Sequence, residues 1–226
     1  MNSIAKRDHR LATGDVTVVG GGWSVANVAI DQLAGLVIAV NDSALHLPNW
    51  DIAVSMDRLW AENRLERVLE RSTQDSPPRP IWMRRSAVQN LPWVEKYPWV
   101  VVFDCDHTSN APSTEERVLN GTNSGACALN LAARAKPARL FLLGFDMNRD
   151  PRGNPYWYPP YDWVKSEKGA TSAGKYNDWA FQMHRFADRF GLNGTEVFNV
   201  SPLSAIDAFP KITPAEYLKM TRSVTR

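Results

Sequence analysis

Asp15-Val-Thr-Val-Val-Gly-Gly-Gly-Trp-Ser24 is the stretch on which the fold turns. Val16 to Val19 run without a charged or strongly polar break, which predicts a strand buried on both faces rather than on one. Gly20, Gly21 and Gly22 predict a tight turn out of that strand. Ser24 predicts the cap of a helix reaching about Leu33, with Val25, Val28, Ala29 and Leu33 on its apolar face. A buried strand, a glycine turn and a helix are the opening of a parallel βαβ unit.

The same grammar repeats along the chain. Short apolar runs at Leu36–Val40, Ile52–Ser55, Ile81–Met83, Trp99–Phe103, Arg139–Leu143 and Glu196–Val200 predict further strands. Between and after them, Arg58–Arg71, Ala126–Ala135 and Tyr176–Phe190 predict helices, the last with Tyr176, Trp179, Ala180, Met183, Ala187 and Phe190 on one face. Thr213-Pro-Ala-Glu216 is a capping-box pattern opening a C-terminal helix within residues 211–226. Residues 147–174 hold Pro, Gly, Tyr and Trp without periodicity and predict a lid loop. The expected architecture is a single α/β domain over residues 1–226, a Rossmann-like, mostly parallel sheet with helices on both faces and a long aromatic lid loop. Ligands of such sheets sit beyond the carboxyl ends of the strands.

Composition narrows the function. The net charge of +2 over 226 residues does not supply the strong positive field of a nucleic-acid binder. No apolar run approaches the length of a membrane span, and Met1 to Gly14 has basic residues but no apolar core of a signal peptide. The two cysteines, Cys105 and Cys127, lack metal-site spacing and read as buried thiols of a cytoplasmic protein.

The strand ends carry the chemistry. Gly20, Gly21, Gly22, Trp23 and Ser24 could admit a phosphate close to the backbone, at a helix start. The stretch lacks the third glycine of the dinucleotide fingerprint (Val25 stands there) and the lysine of a P-loop, so a plain strand-to-helix turn is the competing reading. Asn41 and Asp42 follow the second strand, where a side chain can reach a ribose or a base, or form an Asx turn. Thr122, Asn123, Ser124 and Gly125 open a helix of small residues and could present N–H groups to an anion, or simply cap it. Asp146 ends a strand, where a buried carboxylate could bind substrate hydroxyls or organise loops, and the tyrosines of the following loop Tyr156-Trp-Tyr-Pro-Pro-Tyr161 could donate to a departing phosphate or merely pack. Asp104, Asp106 and His107 could hold Mg²⁺ or Mn²⁺, or form an exposed polar turn.

In this order, Val18-Val-Gly-Gly-Gly-Trp-Ser24, Val40-Asn-Asp42, Thr122-Asn-Ser-Gly125 and Leu142-Leu-Gly-Phe-Asp146 resemble bacterial sialyltransferases of the Campylobacter type. They also resemble the related motility-accessory-factor proteins and archaeal hydroxymethylpterin diphosphokinases. The late helix and Asn199-Val-Ser-Pro-Leu-Ser204 extend the resemblance over residues 15–210. The resemblance implies a glycosyltransferase with a nucleotide-activated sugar donor of the CMP or UDP type, inverting and metal-independent. It implies that Gly21 to Ser24, Asn41, Ser124 and Gly125 contact the donor nucleotide and that Tyr158 and Tyr161 stabilise the leaving phosphate. The histidine base that the sialyltransferases carry before the late helix is missing from Thr171-Ser-Ala-Gly-Lys-Tyr-Asn-Asp178. His184 lies on the flank of the apolar face of the predicted helix, so Asp178 and Asp57 are the substitute bases. Two other readings stand beside this one. A diphosphokinase-like phosphotransferase needs Mg²⁺ and convergence of Asp57, Asp104 and Asp106. A non-catalytic nucleotide-binding module needs no base. The sequence names no acceptor and leaves a homo-oligomer open.

Overall fold

The computed structural model describes residues 14–106, 113, 115–161, 173–192 and 194–222. Eight strands form one all-parallel sheet: β1 (Val16–Val19), β2 (Leu36–Val40), β3 (Ile52–Ser55), β4 (Ile81–Arg84), β5 (Val100–Asp106), β6 (Val118–Asn120), β7 (Arg139–Leu143) and β8 (Glu196–Asn199). Their order is β6-β5-β4-β3-β2-β1-β7-β8. The chain lays down six strands in one direction, then returns to place β7 on the other side of β1, with Val16 opposite Leu140 and Val19 opposite Leu143. The fold is therefore Rossmann-like, and its direction reverses between β1 and β7.

Six α-helices lie among the described residues: α1 (Ser43–His46), α2 (Arg58–Ser72), α3 (Arg85–Val88), α4 (Ser124–Arg134), α5 (Ala173–Leu192) and α6 (Pro214–Arg222). The strands are apolar throughout because both faces are covered. Val16, Val18, Ile38, Val40 and Val54 point into a core completed by Leu129 and Ala133 of α4 and Met183 and Phe186 of α5. Their neighbours Val19, Val37, Ala39, Ala53, Phe141 and Leu143 point the other way, onto Leu47, Trp60, Leu65, Leu69 and Tyr217. This is the two-residue period of a strand, with each fully buried Val, Leu or Ile worth roughly 1.5–3 kcal/mol.

Helix α4 is buried nearly all round, and its alanines at 126, 128, 132 and 133 let it lie close to the sheet. Asn130 within it accepts from the backbone N–H of Asn120 at 2.6 Å, which ties β6 to the helix. Helix α6 is opened by the expected capping box. The Thr213 N–H and hydroxyl donate to Glu216 (2.7 and 2.8 Å), and the Glu216 N–H donates back to the Thr213 hydroxyl (3.2 Å). It spans Pro214–Arg222, inside the expected 211–226 segment, whose last four residues lie outside those described.

The expected helix from Ser24 to Leu33 does not form. Trp23–Asn27 is a short 3₁₀ turn, and Val28 already has extended backbone. Val25 and Val28 are β-branched and Asn27 is a poor helix former. Both ends of the segment are also tied elsewhere. The Ser24 N–H donates to Asp146 (2.9 Å), and Ala34 exchanges hydrogen bonds with the Thr17 and Tyr217 hydroxyls. Strand β6, absent from the sequence reading, pairs among the described residues with Asp104–Asp106 and so lengthens β5 beyond Phe103.

Candidate functional site

At the carboxyl ends of the strands lies a cleft of about 770 Å³, within the size range of small-molecule sites. It occupies the switch point between β1 and β7. Gly20, Gly21 and Gly22 form one side and Gly144 and Phe145 another, with Asn41 after β2, Met56 and Asp57 after β3, and Thr122 to Gly125 at the start of α4. Tyr156, Tyr158 and Tyr161 cover it from the aromatic loop, and Lys175, Tyr176 and Trp179 from the first turns of α5. Residues from seven separate places in the chain thus meet in one cleft.

The glycine turn is built by close packing. A Cβ on Gly22 would stand 2.3 Å from an Asp146 carboxylate oxygen and 2.6 Å from the Gly144 carbonyl, and one on Gly21 would stand 2.5 Å from the Tyr158 hydroxyl. Gly144 itself has φ of +69°, where a side chain is strained. The aromatic loop is strapped to this turn: the Trp157 N–H donates to the Gly21 carbonyl (3.2 Å), and Gly22 forms a bridge with Tyr156.

Asp146 lies beneath the turn rather than in the cleft. It is 1% exposed. One oxygen accepts from the Ser24 N–H (2.9 Å) and the other from the Ser201 hydroxyl (2.5 Å). Its own backbone carbonyl accepts from Ala205 N–H (2.8 Å). Ser24 is buried with it, and Trp23 donates its indole N–H to Asn148 (2.9 Å). Trp23, Ser24 and Asp146 thus hold the turn's shape and are not among the residues lining the cleft, whereas Asn148 is. The 3₁₀ turn after Gly22 carries no extended helix, so the N–H groups expected there are instead offered by α4, whose start lines the cleft. Asn123 caps it, accepting from Ala126 N–H (2.9 Å). Ser124 and Gly125 carry its first two N–H groups, which have no intrahelical partner to find.

Asn41 and Asp42 take opposite roles. Asn41 adopts φ of +52°, a conformation Asn tolerates, and lines the cleft. Its side-chain oxygen is buried with no hydrogen-bond partner. Asp42 turns into the protein, accepting from the Trp60 indole (2.7 Å) with Arg64 3.6 Å away. Burial raises its carboxyl above the usual range, against the lowering effect of Trp60 and Arg64. Tyr158 is also buried, its hydroxyl 3.4 Å from that of Tyr161. Burial raises both phenols well above their ordinary value, so both stay neutral donors. His46, which the sequence reading passed over, stacks on the Tyr158 ring at 5.1 Å.

Of the two substitute bases, Asp57 lines the cleft and Asp178 does not. Asp57 caps α2, one oxygen accepting from Trp60 N–H (3.1 Å), and is the one carboxylate among the described lining residues. Asp178 is exposed on α5 and is not among the lining residues, although Lys175, one turn before it, is. His184 is exposed as well. Asp104 meets Arg85 in a two-pronged ion pair (2.8 and 2.9 Å) that holds its carboxyl below the usual value. Neither Asp104 nor Asp106 lines the cleft. His107 lies outside the described residues, as do residues 162–172 of the expected lid. Among the described residues, no group of three or more His, Cys, Asp or Glu is placed to hold a metal ion.

Lys175, Tyr176, Trp179 and Gln182 were not foreseen as site residues. The first three share one face of α5, at i, i+1 and i+4, and that face continues into the core as Met183 and Phe186. The apolar periodicity of this helix carried the signal, because its first turn projects past the sheet edge. Gln182 had none. Its side-chain oxygen accepts from the Thr122 N–H (3.1 Å), the Thr122 hydroxyl (2.5 Å) and the Asn123 amide (3.2 Å), clamping the lining segment to α5.

Fold and cleft together define a Rossmann-like α/β protein with a cleft at its switch point. No protein-family model matches the chain, and no curated protein matches it. No helix among the described residues is long and apolar enough to cross a membrane.

Proposed function

We propose that the cleft binds a nucleotide-activated sugar and transfers the sugar to an acceptor, a cytoplasmic glycosyl transfer of the sialyltransferase-like kind. The observation that carries this reading is the convergence of Gly20–Gly22, Asn41, Ser124–Gly125, Tyr158 and Tyr161 on one cleft at the switch point. In this reading the donor phosphate lies against the first N–H groups of α4, where the helix dipole favours an anion. The neutral hydroxyls of Tyr158 and Tyr161 donate to the phosphate as it departs, and Lys175 adds a positive charge at the same rim. The unpartnered oxygen of Asn41 accepts from a ribose hydroxyl or a base amine of the ligand. Asp57 takes the acceptor proton, and the acceptor ring lies on Tyr176 and Trp179. Tyr158 and Tyr161 act as hydrogen-bond donors rather than as acids, since their raised pKa values keep the protons in place.

The test is thermal stabilisation by a panel of nucleoside mono- and diphosphates, with and without Mg²⁺. A ligand at a hundred times its Kd adds about 2.7 kcal/mol, or roughly 5–11 °C in a domain of this size. Stabilisation by a cytidine or uridine nucleotide, lost in Tyr158→Phe and Asn41→Ala, supports the reading and names the donor class. Stabilisation by adenine nucleotides only with Mg²⁺ replaces it with the phosphotransferase. No response to any nucleotide rejects it.

A further inference from the structure

Cys105 and Cys127 lie apart in sequence, one on β5 and one in the first turn of α4, yet their sulfurs are 3.9 Å apart. Neither is in a disulfide. The Cys105 thiol also donates to the Gly121 carbonyl at 2.9 Å. Gly121, with φ of +155°, leads directly into Thr122 to Gly125, the segment that lines the cleft. We propose that Cys105 and Cys127 form an oxidisable dithiol, and that its closure to a disulfide by a peroxide releases Gly121 and loosens the cleft segment 121–125.

The two sulfurs are suited to different roles. Cys105 is half-buried and within reach of a small oxidant, whereas Cys127 is fully buried. The hydrogen bond from Cys127 lowers the Cys105 thiol, with help from Arg84, while the same bond and burial raise Cys127. The Cys105 thiolate attacks one peroxide oxygen and the O–O bond breaks, giving a sulfenic acid and hydroxide, which takes a proton to become water. The Cys127 sulfur then attacks the Cys105 sulfur. The S–O bond breaks, the disulfide forms, and the departing hydroxide takes the Cys127 proton and leaves as a second water. Two thiols and one hydrogen peroxide become one disulfide and two waters. Cys105 then has no S–H to give to Gly121. Closing the 3.9 Å gap to bonding distance also draws β5 and the first turn of α4 together. None of these steps depends on which ligand the cleft takes.

The experiment uses the full chain treated with hydrogen peroxide, then measured by intact mass and by hydrogen exchange. The expected mass change is a loss of about 2 Da, reversed by dithiothreitol. Exchange in peptides covering residues 121–126 should rise two- to tenfold on oxidation, the range for one lost hydrogen bond. Peptides from β1 and β7 should not change. Cys127→Ala should halt at a Cys105 sulfenic acid that dimedone traps. Two results overturn the proposal: oxygen added to Cys105 with Cys127 still open to alkylation after denaturation, or a disulfide that leaves exchange at 121–126 unaltered. The wild-type comparison of oxidised and reduced protein stands even if the variant fails to fold.

Discussion

Removing the Asp146 carboxylate tests the reading of the cleft most directly. Asp146 is 1% exposed and joins three parts of the chain: Ser24 of the glycine turn, Ser201 after β8, and its own place after β7. Asp146→Ala strands the Ser24 N–H and the Ser201 hydroxyl in a site closed to bulk water. Hydrogen bonds to a carboxylate are worth about 1.5–3 kcal/mol each, so the loss should be about 3–6 kcal/mol. That corresponds to a fall in Tm of roughly 6–24 °C for a domain of this length. Asp146→Asn keeps one acceptor oxygen for the Ser24 N–H, and the Ser201 hydroxyl can turn to accept from the amide, so the cost should be about 1–2 kcal/mol. Urea denaturation of the three proteins measures both values. The argument fails if Asp146→Ala stays within about 1 kcal/mol of wild type, or if Asn is as damaging as Ala. Either result would mean that the turn holds its shape by packing alone.

Gly22→Ala drives a methyl group toward the Asp146 carboxylate and the Gly144 carbonyl, and should cost about 1–3 kcal/mol as overpacking, read by the same melts. Tyr217→Phe removes the hydroxyl that Ala34 N–H donates to at 2.8 Å and that meets Thr17 at 3.1 Å. It should destabilise by about 1–3 kcal/mol without altering ligand binding. Glu216 is exposed, and the hydrogen bonds from Thr213 hold its carboxyl below the usual value. A value depressed in the folded state gives stability that is present above the unfolded pKa and lost as pH falls through the folded one. Glu216→Gln should therefore flatten the acid limb of a stability–pH curve and leave the alkaline limb unchanged. Gln182→Ala frees Thr122 and Asn123 from α5 and should weaken the binding of any cleft ligand roughly tenfold, read by titration calorimetry, since the three hydrogen bonds that Gln182 accepts order that segment.

The strands were legible because burial on both faces leaves a continuous apolar signature. Leu36–Val40, Ile52–Ser55 and Arg139–Leu143 begin and end where the sequence places them. Strand β6 was not, because Val118-Leu-Asn120 is too short to show a period and exists through pairing with β5. The helix expected after Ser24 failed for the converse reason: its local spacing was right, but contacts with Asp146, Thr17 and Tyr217 decide its path. At the site, strand-end position was a good guide to which segments meet and a poor guide to which side chain faces the cleft. Asn41 and Asp42 are adjacent and point to opposite sides, and Asp178 stays out of the cleft while Lys175 and Trp179 of the same helix line it. Lys175 and Trp179 reach the cleft because α5 extends past the sheet, a matter of length and docking that no single residue announces.

The strand order also sets a sequence of events during synthesis. Strands β1 to β6 pair successively with the neighbour just made, so each can join the sheet soon after it appears. The exposed side of β1 must wait for β7, which follows more than a hundred residues later and closes the longest loop in the sheet. The cleft lies at that junction. A nascent chain stalled before Arg139 would hold most of the sheet and a bare, hydrogen-bonding edge along Val16–Val19, which is an invitation to pair with another chain. The cleft is thus among the last features to be completed, and the strand that completes it covers the open edge of β1.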